Sequence, residues 1–236
     1  MQLTVRDAAR YLGVSEETLT RWVKRGELPA HSVNDQYRFN RVDLLEWAAQ
    51  RKIPVSAEIL EEPGARTAPP RIAEAVRAGG VHRDLPGTDP ESVLRAVVER
   101  IPLPPGTDRP FLLEMLLARE KLGSTAVGHG IAIPHPRDPI VLRVQRPSVS
   151  ICYLAGPISF AALDSKPVHT LCVLIAPTVR SYLSTLATLA AVLRDPALPP
   201  LLEARAGRDE VLAAVERVEA ELAERRARSL ERSDGA

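Results

Sequence analysis

Cysteine is nearly absent from this chain, with only Cys152 and Cys172 in 236 residues. Both sit inside apolar runs. Two such residues build neither a disulfide framework nor a four-ligand zinc site, so reduced thiols in a cytosolic protein are expected. Aromatic residues are scarce at 4%, which leaves the cores to Leu, Val, Ala and Ile. An excess of either charge is also missing. The 31 basic and 30 acidic residues give a formal net charge of +1, which excludes a strongly basic nucleic-acid coat and an acidic tail. No apolar run approaches the length of a membrane-spanning helix, and Met1-Gln2-Leu3-Thr4 lacks the apolar stretch of a signal peptide. A cytoplasmic protein without a membrane segment is therefore expected. Nor is there an internal repeat. What is present, 45% apolar and 26% charged residues, suits one large globular domain or two small ones.

Composition divides the chain into zones. Residues 1–52 hold both tryptophans and a dense helical pattern. Residues 53–80 carry Pro54, Pro63, Pro69 and Pro70, the Glu61-Glu62 pair and Gly79-Gly80, and read as a linker. Residues 81–225 form a second unit with long apolar segments, and 226–236 a charged tail.

In the first zone, Thr4-Val5-Arg6-Asp7 has the form of a capping box, with Asp in the usual place of Glu or Gln. Ala8, Ala9 and Leu12 give one apolar helix face, which Gly13 ends. Ser15 caps a second helix with Leu19, Trp22 and Val23 at helical spacing, ended by Gly26. Two short helices around Gly13-Val14-Ser15 make a helix-turn-helix. Residues 28–33 and Tyr37-Arg38-Phe39 flank Asn34-Asp35-Gln36, which suits a hairpin turn and makes a small wing. A third helix carries Val42, Leu44, Leu45 and Trp47.

The phrases LTVRDAARYLGVSEETLTRWVKRGELPAH and YRFNRVDLLEWAAQRK, in this order, resemble the excisionase-like, MerR-type winged-helix DNA-binding module over residues 2–52. The resemblance implies that the second helix enters the major groove and that the wing meets the backbone or minor groove. The matching positions are Thr18, Arg21, Lys24, Arg25 and, in the wing, Arg38. Arg reads guanine edges bidentately, and Lys and Arg neutralise phosphates. Nine basic and seven acidic residues leave 1–52 with a surplus of two positive charges. That is low for a lone DNA binder, so a homodimer or a second partner that adds contacts is expected.

In the second zone, Pro90-Glu91 opens a helix with Val93, Leu94, Val97 and Val98 inside. Pro110 opens another with Phe111, Leu112, Met115, Leu116 and Leu117 inside. Val141, Val144, 148–154 and 168–176 read as strands, the last apolar enough to be covered on both faces. Leu183, Leu186, Ala187, Ala190 and Leu193 mark a buried helix stripe, and Val211, Leu212, Val215, Val218 and Leu222 another. Helices flanking a mixed sheet predict an α/β sandwich, joined to the small N-terminal winged helix-turn-helix domain.

Arg119 to Pro136 is the segment richest in chemistry, and it reads as a loop. It holds two of the five histidines, His129 and His135, and glycines at 123, 128 and 130 that let main-chain amides approach an anion. Pro134 and Pro136 stiffen both sides of His135. A rigid, exposed imidazole beside hydroxyls, an Arg and open amides is suited to accept a phosphoryl group. Such transfers need mainly position and hydrogen-bond donors, and a neutral imidazole is a competent nucleophile near pH 7. No metal site is expected, because the loop offers no well-spaced third ligand and Asp138 follows Pro136 at an awkward angle.

REKLGSTAVGHGIAIPH, continued by PISFAALDSKPVHTLCVLIAP and VRSYLSTLATLAAVLRD, resembles the type-2 enzyme IIA domains of the bacterial phosphoenolpyruvate:sugar phosphotransferase system, over about residues 81–225. The resemblance implies that His135 takes phosphate from a histidine-phosphorylated HPr-type carrier, that Arg119 and Ser124 steady it, and that no cofactor is involved. The chain departs from the pattern at two positions. Pro136 stands where a Gly is usual, and Ser184 stands where a second histidine is common. Ser184 donates one hydrogen bond but carries no charge, and His129 is a candidate replacement. His169 reads as a satisfied structural histidine, His31 and His82 as surface residues, and residues 164–167 as a turn.

The function expected from these readings is a cytosolic regulator that couples phosphohistidine formation at His135 to a DNA-binding module. The alternatives are a phosphotransfer component serving a sugar permease subunit, and an interaction protein in which neither chemistry survives.

Overall fold

The computed structural model describes residues 2–33, 36–56, 71–136 and 144–233. The chain divides into two compact units, residues 1–69 and 70–236.

The first unit begins with β1 (Gln2–Thr4), α1 (Val5–Leu12) and α2 (Glu16–Lys24). Thr4 and Asp7 form a reciprocal capping box, with the Asp7 N–H donating to Thr4 Oγ1 at 3.1 Å and the Thr4 N–H to Asp7 Oδ2 at 3.2 Å. Ser15 caps α2 through the Thr18 N–H at 3.1 Å. These bonds satisfy amides that a helix start leaves without intrahelical partners. β2 (His31–Val33) and β3 (Gln36–Asn40) pair antiparallel as the expected hairpin, and Asn34 and Asp35, expected in its turn, lie outside the described residues. β1, which the sequence reading did not foresee, pairs with β3 to give an antiparallel sheet of order β1-β3-β2. α3 (Arg41–Gln50) completes the unit. Leu3, Leu12, Leu19, Leu28, Phe39, Leu44 and Leu45 fill its core. The Trp22 and Trp47 rings meet at 5.1 Å, and Trp47 Nε1 donates to the Glu27 carbonyl at 2.6 Å.

The second unit starts inside the expected linker. α4 (Ile72–Gly79) is a helix with Ile72, Ala73, Ala75 and Val76 buried. In the sequence, the prolines before it obscure the helical spacing of these residues. Gly79 makes that packing possible, because a Cβ there would overlap the Val149 main chain. The Glu219 carboxylate caps α4 through the Ile72 N–H and, at 3.3 Å, the Ala73 N–H.

After α4 come β4 (Val81–Leu85), α5 (Pro90–Arg100), α6 (Arg109–Lys121), β5 (Ala126–Gly128), β6 (Ile131–Ala132), β7 (Ser148–Ile158), β8 (Val168–Ile175), α7 (Val179–Leu193), α8 (Leu198–Glu203) and α9 (Arg208–Ser233). Asp89, Asp108 and Thr178 cap α5, α6 and α7 with their side chains. The sheet order is β4-β7-β8-β6-β5. β4 runs parallel to β7 and β6 parallel to β8, while β7–β8 and β5–β6 are antiparallel. Val93, Leu94, Val97, Leu112 and Leu116 from α5 and α6 pack with Cys152, Leu171, Val173 and Ile175. α4 packs on β7, and α7 and α8 on β8. The result is the expected mixed-sheet α/β sandwich.

Several elements differ from their expected form. Val144 is not in a strand, and Val141 lies outside the described residues. β4 and α8 were not foreseen, and Pro199-Pro200 falls within the first turn of α8, where Pro is tolerated. α9 runs through the expected tail to Ser233. Burial pushes the Cys172 thiol up to about 12 and raises that of Cys152 as well. Among the described residues no helix is long and apolar enough to cross a membrane.

Candidate functional site

The segment read as a loop is largely a hairpin that lines up one ring. β5 and β6 turn through Gly128-His129-Gly130, all three at positive φ. A Cβ at Gly130 would overlap the His169 ring, and the Gly130 carbonyl accepts from the His169 and Thr170 N–H groups at 2.8 and 3.1 Å. His169 Nδ1 pairs with Thr170 Oγ1 at 2.8 Å. Burial holds the His169 ring below 6.5, against the pull of Glu203 and a bond to the His129 main chain. This is the satisfied structural histidine expected.

Past β6 the chain stays extended beside β8, and the Leu174 N–H donates to the Pro134 carbonyl at 2.9 Å. Residues 131–136 are all buried, and His135 is 2% exposed. This corrects the expectation of an exposed imidazole. Pro134 and Pro136 do not hold a free loop; they flank a stretch laid against the central strand. The Tyr182 ring from α7 covers the imidazole at 5.0 Å between centroids.

Arg119, 5% exposed in the last turn of α6, donates from Nε to His135 Nε2 at 3.0 Å and from Nη1 to the Gly123 carbonyl at 2.8 Å. A guanidinium only donates, so Nε2 carries the lone pair. The proton then sits on Nδ1, which donates to the Ile133 carbonyl at 2.7 Å. The ring is held in one tautomer by a partner on each nitrogen.

The other expected site residues make the following bonds. Ser124 Oγ donates to the Phe160 carbonyl and accepts from the Ala126 N–H at 3.2 Å. It pins the hairpin to the segment that follows β7. His129 contributes its main chain, with its N–H donating to Asp164 Oδ2 at 3.0 Å, while Asp164 Oδ1 accepts from the Lys166 N–H at 3.2 Å. The expected turn at 164–167 therefore clasps the hairpin tip. Burial raises the Asp164 carboxyl, but those two bonds and the Lys166 charge prevail and hold it below 3.8. Ser184 is half-buried on α7, and its carbonyl accepts from Thr188 Oγ1 at 2.9 Å.

Sequence reasoning missed Tyr182, Glu120 and Asp164's part in the clasp. Tyr182 is one of four tyrosines and lies two residues before Ser184, which was the available signal. Glu120 adjoins Arg119 in the same motif. Its carboxylate accepts from the Thr125 hydroxyl at 2.6 Å and from the Thr125 N–H at 3.1 Å.

In the first unit, Arg21 and Lys24 on α2 and Arg25 at its C-cap are exposed, while Leu19 is buried. Arg25 lies 3.9 Å from Glu27. Thr18 Oγ1 accepts from Ser15 Oγ at 3.0 Å, so Thr18 shares in the cap. Arg38 on β3 donates to the Tyr37 carbonyl at 3.2 Å.

Residues 76–218 match the family described as phosphoenolpyruvate-dependent sugar phosphotransferase system, EIIA 2, and residues 3–52 match a helix-turn-helix domain family. The nitrogen regulatory protein of Pseudomonas aeruginosa is 36% identical over 126 residues, covering 52% of this chain and 80% of that protein. That of Escherichia coli K12 is 34% identical over 124 residues, covering 51% and 72%. The crystal structure of nitrogen regulatory protein IIA-Ntr from Neisseria meningitidis aligns with a TM-score of 0.49 at 27% identity, over 57% of this chain and 91% of that one. The buried Arg119–His135 pair thus stands inside the matched span, and the chain belongs to the type-2 EIIA family of the phosphoenolpyruvate-dependent sugar phosphotransferase system, with a helix-turn-helix domain ahead of it.

Proposed function

We propose that His135 accepts a phosphoryl group on Nε2 from a histidine-phosphorylated HPr-type carrier, and that the helix-turn-helix unit turns this state into a change in DNA occupancy. The supporting observation is the Arg119 Nε to His135 Nε2 bond at 3.0 Å, which leaves the ring's lone pair on the nitrogen that meets a cation. In the transfer, the Nε2 lone pair forms a bond to phosphorus. The donor's P–N bond breaks, and its electron pair returns to the donor imidazole. The proton stays on Nδ1, hydrogen-bonded to the Ile133 carbonyl, so no base is needed. Arg119 occupies the approach to Nε2. Its guanidinium must move from the ring nitrogen to the incoming phosphoryl oxygens, where it makes stronger charge-assisted bonds. Stabilisation by such a donor is realised only as the phosphoryl arrives, which is what speeds a transfer.

The test is incubation of the full chain with phosphoenolpyruvate, enzyme I and an HPr-type carrier, followed by intact mass at neutral pH. One acid-labile phosphoryl group is expected on the wild type and none on His135→Ala. An unmodified wild type beside a phosphorylated carrier would overturn the reading.

A second reading draws on the ring's burial and its two bonded nitrogens. His135 would then be a packed structural residue in a domain that signals by binding alone. The same incubation separates the two readings.

For the first unit, α2 presents Arg21, Lys24 and Arg25 to the major groove, Thr18 sits at its N-terminal turn and Arg38 lies on the wing. Lys and Arg there serve the phosphates, and Arg21 is the candidate for a base edge. Soluble partners, a carrier protein and DNA, account for both surfaces.

A further inference from the structure

Adjacent residues at the end of α6 address the two nitrogens of His135 by different routes. Arg119 reaches Nε2 directly. Glu120 starts a chain of bonds that ends at Nδ1. Its carboxylate accepts from the Thr125 N–H, shared between Oε1 at 3.3 Å and Oε2 at 3.1 Å, and from the Thr125 hydroxyl at 2.6 Å. The Thr125 carbonyl accepts from the Ile133 N–H at 2.9 Å. The Ile133 carbonyl accepts from His135 Nδ1 at 2.7 Å. The Thr125–Ile133 bond lies just beyond the Ala126↔Ala132 pair of the β5–β6 hairpin, so it closes the hairpin's base. Both strands of that base are thereby hung from one side chain of α6.

We propose that Glu120 is a positioning residue for phosphoryl transfer: by clamping Thr125 it sets the Ile133 carbonyl that keeps the His135 proton on Nδ1 and the lone pair on Nε2. The inference rests on His135 being the phosphoryl acceptor, but the clamp itself can be tested without the transfer. The physical case has two parts. First, a carboxylate takes the amide and the hydroxyl of one residue together, and bonds to an ionised acceptor are roughly twice as strong as neutral ones. Second, the tautomer of a neutral imidazole follows the bond made by its other nitrogen. If the Ile133 carbonyl withdraws, the Arg119 bond alone opposes the other tautomer, which would put an N–H on Nε2 and take the nucleophilic lone pair from it. The environment of Glu120 agrees with a built position. Burial raises its carboxyl above 4.5, with the Thr125 and Ser124 bonds and the Arg119 charge pulling the other way.

The experiment labels the full chain with ¹⁵N-histidine and compares wild type, Glu120→Gln and Thr125→Val. Thr125→Val keeps the shape and the N–H but removes the hydroxyl, and it serves where the Glu120 variant folds poorly. Two-bond ¹⁵N–¹H spectra report the tautomer, and the initial rate of phosphoryl uptake from the carrier is measured against carrier concentration. Wild type is expected to show a protonated Nδ1 and a bare Nε2 on His135. Both variants should move the two nitrogen shifts toward each other and lower the maximal rate about tenfold, with the carrier concentration at half-maximal rate unchanged. A loss confined to thermal stability would not produce that split. If wild type takes up phosphoryl while both variants keep its ring shifts and its rate, the clamp is overturned. If wild type takes up none but the variants still shift the ring nitrogens, the clamp stands as a structural device and the transfer reading falls instead.

Discussion

At the scale of single residues, the site is a matter of which atoms are donors. Arg119 offers only N–H groups, so its bond to Nε2 and the Ile133 carbonyl on Nδ1 together set where the imidazole proton sits before any partner arrives. Asp164 has a comparable role at the hairpin tip, where its carboxylate receives the His129 and Lys166 N–H groups. Its folded-state pKa lies below the ordinary aspartate value of 3.8. The stabilisation it lends is therefore present above pH 3.8 and is lost as pH falls through the lower folded value. The His129 amide resonance should titrate with Asp164, at an apparent pKa below 3.8, and Asp164→Asn should abolish that titration. A His129 amide that stays fixed through this range would show that the clasp does not form in solution.

At the scale of elements, the close approach of α4 to β7 is what one residue's missing side chain allows. Ser150 Oγ donates to the Gly79 carbonyl and the Ile151 N–H to the Gly80 carbonyl, both at 2.9 Å. Gly79→Ala should force the helix off the sheet and cost about 1–3 kcal/mol, as overpacking does, read as a lowered midpoint in urea. An unchanged midpoint would show that α4 has slack there. α2, the proposed recognition helix, gives a second prediction at this scale. α2 carries Glu16 and Glu17 in its first turn, Arg21 and Lys24 in its last turn and Arg25 at its C-cap, so its favourable face for phosphate is short. Arg21→Ala should weaken binding to DNA by about tenfold, in line with the roughly 1–3 kcal/mol of a base-edge contact. The dependence of affinity on salt should be shallow. No retention of DNA by wild type at low salt would remove the DNA reading.

At the scale of the whole molecule, two units stand in one chain, and a phosphoryl group would add nearly two negative charges within the second. To act on DNA, that charge must bias an equilibrium between two states. The sequence made the architecture legible because helix starts and buried strands have local causes. The Thr4–Asp7 box, the Ser15 cap and the apolar run that became β8 are readable from residue order alone. The residues of the site were also legible, since Arg119 and His135 stand in one motif. Their burial was not, because it depends on β8 lying alongside Pro134 and on Tyr182 arriving from α7, contacts that sequence spacing does not encode. α4 was hidden for a similar reason. Its fit to β7 depends on Gly79 being absent as a side chain, whereas in sequence the same glycine reads as a linker residue.

The most direct measurement of the central claim is the site of phosphorylation on ¹⁵N-histidine-labelled protein after incubation with phosphoenolpyruvate, enzyme I and an HPr-type carrier. The phosphoryl group is predicted on Nε2 of His135, with Nδ1 still protonated. A phosphoryl group on Nδ1 or on another residue, or none while the carrier itself is phosphorylated, would contradict it.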